Sequence, residues 1–123
     1  MPVRLFKDLE FVEWADKAGV TDDMLRRAAA EIEAGLVDAR LGGFLLKKRV
    51  AAPGRGKRGS YRTIVAHRQG SRLVFLYGFA KNDRDNITDK ERNLLLKLAD
   101  EYMKYDDAKM SALVKQREVS EIR

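Results

Sequence analysis

Apolar positions along the first third of the chain recur at helical spacing. Phe11, Trp14, Ala15 and Ala18 share one side of a predicted helix that Gly19 ends. Thr21 then caps a second helix with Asp22 and Asp23 in its first turn; Leu25, Ala28, Ala29, Ile32 and Leu36 form its stripe, and Gly35 marks its end. Before both, "VRLFK" at 3–7 reads as a short strand. From Phe44 the period changes. "FLLKKRVA" (44–51) and "YRTIVAHR" (61–68) are β-prone, "QGS" (69–71) makes a tight turn, and "RLVFLYGFA" (72–80) is apolar at both parities. The last is therefore predicted to be a central strand covered on both faces and antiparallel to its predecessor. Thr88 and Glu91 have capping-box spacing and open a helix predicted to bury Leu94, Leu95, Leu98 and Tyr102. "YDDAK" breaks it, and a shorter helix carries Met110, Leu113 and Val114. The polar tail "QREVSEIR" is expected to be loosely held.

Charge changes this picture more than composition does. The 123 residues suit one domain, 1–123, with 45% hydrophobic and 36% charged residues. No cysteine is present and His67 is the single histidine, which argues against disulfides, thiolate chemistry and a His-based zinc site; no metal or cofactor is expected. The absence of a long apolar run or a secretory leader pattern points to the cytoplasm, with no membrane partner. Between Arg40 and Arg84, however, twelve Lys or Arg face one acid, Asp83, a net +11, while the rest of the chain, with 13 cations and 18 acids, is −5. Such asymmetry predicts a polyanionic partner for the middle segment.

The stretch "PGRGKRGSYR" (53–62) is not a P-loop. Ala51 stands where the first glycine would be, Arg58 where Ser or Thr would be, and a strand follows in place of a helix. Alternation on that strand puts Arg62, Ile64, Ala66 and Arg68 on one face and Tyr61, Thr63, Val65 and His67 on the other; the second set is assigned to the core, so Arg62 faces out. Lys47 and Arg49 share a face of the preceding strand and are expected beside Arg62, with Arg55, Lys57 and Arg58 adding charge from the loop and Lys81, Asn82 and Arg84 from the end of the central strand. Tyr77 reads first as core and second as a stacking platform for a base. Trp14 and His67 read as packing residues. RNA carries its own nucleophile, so a Lys/Arg cluster serves equally as a binding patch or as a ribonuclease site that orients the 2′-hydroxyl and neutralises the phosphoryl oxygens. Composition does not separate the two.

Residues 35–91, "GLVDARLGGFLLKKRVAAPGRGKRGSYRTIVAHRQGSRLVFLYGFAKNDRDNITDKE", strongly resemble the RelE-type toxins of bacterial toxin–antitoxin pairs, in particular a HigB-like branch. The cues are "KKR", "GRGKRGSYR" running into a strand, and "YGFAKNDRDNIT". The resemblance implies an α+β fold, a small twisted antiparallel sheet with two N-terminal helices on one face and a C-terminal helix or helices. It also implies a ribosome-dependent mRNA endonuclease held inactive by a cognate antitoxin, often a helix-turn-helix protein. Carried over by position, the family's catalytic cations fall on Arg62, on Lys47 and Arg49 with Lys57 as an alternative, and on Lys81. Arg55, Arg58, Asn82, Arg84 and Tyr77 are then expected to contact RNA. Ser60 stands where glycine is usual, Asn82 where a second cation is expected, and Thr88 where some members have a tyrosine. The alternative is a non-catalytic nucleic-acid-binding protein, or a ParE-like gyrase inhibitor, on the same scaffold.

Overall fold

The computed structural model describes residues 3–52 and 56–123, with the side chains of 3–51 and 60–123. In chain order the elements are β1 (Arg4–Asp8), α1 (Leu9–Ala18), α2 (Asp22–Glu33), β2 (Ala39–Gly42), β3 (Leu45–Ala52), β4 (Gly56–Arg68), β5 (Arg72–Ala80), α3 (Asp89–Lys104), α4 (Asp107–Lys115) and β6 (Val119–Ile122). The strands form one sheet in the order β2-β3-β4-β5-β1-β6. Every neighbouring pair is antiparallel except β1 and β5, which run parallel. This is the α+β architecture expected of a RelE-like chain, with two N-terminal helices on one face of the sheet.

Local chemistry explains where the helices start and stop. The Asp8 carboxylate accepts from the Glu10 amide, and Gly19 ends α1 at φ 76°, a left-handed conformation that only glycine adopts freely. The Thr21 hydroxyl accepts from the Met24 amide at the start of α2. Thr88 and Glu91 close a reciprocal capping box: the Glu91 amide donates to the Thr88 hydroxyl at 3.1 Å and the Thr88 amide to the Glu91 carboxylate at 2.8 Å.

Both faces of the sheet are buried. Phe11, Leu25 and Ile32 from α1 and α2 pack on Val65 and Phe75, while Ala99, Tyr102, Met103 and Met110 from α3 and α4 pack with Leu45, Ile64 and Leu76 on the other side. β5, with its run of buried residues, sits between the two clusters as its apolar pattern requires. A bulge sharpens its pattern: Ile64 pairs with Tyr77 and Val65 with Phe75, so Leu76 is the extra residue and joins Tyr77 against the α3 cluster. At Gly78 the Trp14 ring takes the space of a side chain, since a Cβ there would lie 2.3 Å from it.

Several expectations are corrected. The Arg62 face of β4 is not open, because Ile64 and Ala66 on it are fully buried. β4 starts at Gly56, five residues earlier than Tyr61, and Ala52 pairs with Gly56. The tail is not loose: β6 pairs with β1 from Leu5↔Ile122 to Asp8↔Val119 and buries Val119 and Ile122. α3 seats through its C-terminal half, at Ala99, Tyr102 and Met103; Leu95 and Leu98 are half-buried and Leu94 is 59% exposed. Leu36 lies past the end of α2 and is likewise exposed.

Candidate nucleic-acid interface

Strand register brings the sequence-predicted cations together. Arg49 pairs across strands with Arg62, Lys47 with Ile64, and on the other side of β4 Arg62 pairs with Phe79 and Ile64 with Tyr77. Directly opposed residues project to the same face, so Arg49, Arg62 and Phe79 form a row across three strands and Lys47 and Tyr77 stand one step along. This is the face covered by α3 and α4; along β4 the buried cluster ends at Ile64, while on β5 it continues to Phe79. Arg62, two residues beyond Ile64, is half-buried in place of fully exposed. Its Nη1 donates to the Ser60 hydroxyl at 2.9 Å, so Ser60 supplies an acceptor for the arginine.

The remaining cations divide by what they already hold. Arg49 is 51% exposed but pairs with Asp38, Nε to Oδ1 at 2.9 Å, and its amide donates to the same carboxylate. Lys48 projects to the opposite face, is buried, and joins Glu31 at 2.8 Å and the Leu36 carbonyl at 2.9 Å. Arg72, counted in the basic segment, is buried under α3: Nη1 donates to the Tyr102 and Tyr105 carbonyls and Nη2 meets Asp107 at 3.0 Å, so it closes the C-terminus of the helix. Among the described residues, Lys47, Arg62 and Lys81 have no carboxylate within 4.0 Å. Lys81 and Asn82 are exposed in the turn after β5. Arg55 and the side chains of Lys57 and Arg58 lie outside the described residues.

Arg84 is not a free cation. Nη1 donates to Glu91 Oε2 at 3.0 Å and Nη2 to Glu91 Oε1, Nη1 also reaches the Tyr77 hydroxyl at 3.3 Å, and Nε donates to the Asn86 carbonyl at 3.0 Å. The fork of hydrogen bonds holds the Glu91 carboxyl down to about 2, helped by the Thr88 amide, and raises Arg84 above its ordinary value. The guanidinium lies over the Phe79 and Tyr77 rings. Tyr77 is thus half-buried and engaged on both its ring and its hydroxyl. Sequence reasoning found Glu91 as a capping residue but missed its second role, since the spacing of a capping box carries no information about what reaches back from an earlier turn.

His67 behaves as a structural residue, buried and paired through Nε2 with Glu33 at the end of α2. The Thr88 hydroxyl is engaged as the cap of α3. Among the described residues, no three His, Cys, Asp or Glu side chains group as a metal site would require, and no helix is long and apolar enough to cross a membrane.

Two comparisons bear on this arrangement. No curated protein matches the chain. The family model described as the RelE toxin of the RelE/RelB toxin–antitoxin system matches residues 3–122, from the first strand through the last. A match that takes in every strand and helix leaves one assignment: the chain belongs to the RelE family, the toxins of type II toxin–antitoxin systems, each made with an antitoxin partner.

Proposed function

We propose that this toxin is a ribosome-dependent mRNA endonuclease whose reaction is attack of the RNA 2′-hydroxyl on the adjacent phosphorus. The observation that carries this reading is the placement of Arg62, fixed on a central strand, half-buried, with no carboxylate in reach among the described residues and with Arg49 directly across. In the step, the O2′–P bond forms and the P–O5′ bond breaks; one proton leaves the 2′-hydroxyl and one reaches the departing 5′ oxygen. Arg62 clamps the scissile phosphate and neutralises the growing charge, for which a planar guanidinium offers two parallel donors. Lys81 assists proton transfer or charge neutralisation, with Lys57 as the other candidate, and Arg49 adds positive charge if it trades Asp38 for phosphate. Lys47, Arg55, Arg58 and Asn82 hold the RNA strand. The antitoxin partner is read as a helix-turn-helix protein, and the cytoplasm as the place of action.

The test is induction of the toxin without its antitoxin, followed by mapping of transcript 5′ ends. New 5′ ends within translated frames and arrested growth are expected. Intact transcripts, with folded protein confirmed in the cells, would overturn the reading. Arg62→Ala should abolish cleavage abruptly while the protein still associates with ribosomes. A gradual loss of affinity over successive cation substitutions, with no single position deciding turnover, would instead favour a non-catalytic binding protein.

A further inference from the structure

Within the basic segment, Arg84 is poorly set up to be a phosphate ligand. Four of its five N–H donors are engaged, by the Asn86 carbonyl, the Tyr77 hydroxyl and both oxygens of Glu91, so its charge is already matched. A phosphate would have to displace a bidentate carboxylate that also caps α3. What the arrangement does build is a rigid, planar, charge-compensated surface. Glu91 and the Tyr77 hydroxyl pin the edge of the guanidinium, and the Phe79 ring backs it, with the guanidinium carbon 5.5 Å from the ring centroid. The side chain still keeps 29% of its surface in solvent. Phe79, beneath it, is the direct cross-strand partner of Arg62, so the surface stands over the residue beside the arginine assigned to the scissile phosphate. A nucleotide whose phosphate sits at one such position carries its base within reach of the other.

Resting on the endonuclease reading, we infer that the outer face of the Arg84 guanidinium is a stacking platform for the nucleobase next to the cleaved phosphate. Guanidinium planes and unstacked RNA bases pair in this way, and the interaction tolerates any base because each has a π-face. Glu91 holds the platform flat and removes its net charge, so this subsite recognises a base without adding to phosphate attraction.

The test is single-turnover cleavage by the full chain on ribosomes programmed with mRNAs that lack the base of one nucleotide at a time around the cut. Wild-type protein should lose roughly ten-fold in rate at one position, the loss expected of one stacking contact. Arg84→Ala and Arg84→Lys should lose a similar factor on intact mRNA and nothing more when that base is absent, since Lys keeps the charge but has no plane. The salt dependence of KM should be unchanged when the pair is removed together in Arg84→Ala/Glu91→Gln, whereas Lys47→Ala should lower its slope by about 0.7, one phosphate contact to a single strand. Glu91→Gln retains a capping side chain, uncovers the charge and should steepen the slope. Base and side-chain losses that multiply at every position, base dependence retained in Arg84→Lys, or a lowered slope in Arg84→Ala/Glu91→Gln would each overturn the inference while leaving the endonuclease reading intact. No cleavage by wild-type protein would overturn both.

Discussion

Single residues decide how closely the two faces of the sheet can be packed. Gly78 is required because the Trp14 ring occupies the position of its Cβ at 2.3 Å. Gly78→Ala should therefore destabilise the protein by about 1–3 kcal/mol, read as a lowered midpoint in denaturant with unchanged slope. Arg72 supplies the donors for the last carbonyls of α3, and removing it leaves the buried Tyr102 carbonyl unpartnered. Arg72→Met should cost about 2 kcal/mol in the same measurement. Arg62, by contrast, contacts only the Ser60 hydroxyl among described polar side chains, so Arg62→Ala should change stability by no more than about 0.5 kcal/mol while removing toxicity. That contrast separates a site residue from structural ones of the same type.

Helix α3 shows what an element contributes to the site. Its capping box fixes Glu91, Glu91 fixes Arg84, and Arg84 lies over the aromatic residues next to Arg62. Thr88→Ala should cost about 1 kcal/mol of stability, measured by thermal unfolding, and should loosen the turn that carries Lys81. The capping box was legible in the sequence because it depends on residues three apart. β6 was not, for a physical reason: it buries Val119 and Ile122, three residues apart, which matches neither the alternation of a strand nor a helical stripe of useful length. It is held by its ladder to β1 and by Arg4, whose Nε donates to Glu121 at 3.0 Å. The stripe of α3 was displaced toward Tyr102 for a similar reason. Apolar periodicity names a face of a helix but not the length of it that meets the sheet.

Across the whole molecule, ion pairs join segments far apart in sequence. Arg4 meets Glu121 and Asp107, and Asp107 meets Arg72, so β1, β5, β6 and α4 share one network. The hydrogen bond from Arg4 lowers the Glu121 carboxyl below its ordinary range, as Arg84 does for Glu91. A carboxyl lowered in the folded state adds stability above its unfolded value and loses it as pH falls through the folded one. The thermal midpoint should therefore drop steadily from about pH 5 toward pH 2, and Glu121→Gln should be less stable than wild type at neutral pH but converge with it in acid.

The chain by itself determined the helices, the Thr21 and Thr88 caps, the three central strands and the family, because these rest on local periodicity, on residues three or four apart, and on motifs read in line. It also placed Lys47, Arg49 and Arg62 on a common face, since alternation along adjacent antiparallel strands is enough for that. Only the tertiary structure decided which cations are available. Lys48, Arg49, Arg72 and Arg84 each meet a carboxylate brought in from another element, and a net charge of +11 counted along the segment takes no account of where acids arrive in space. The same long-range packing covered the Ile64 face and left Arg62 at its margin, half-buried and without a carboxylate within reach among the described residues.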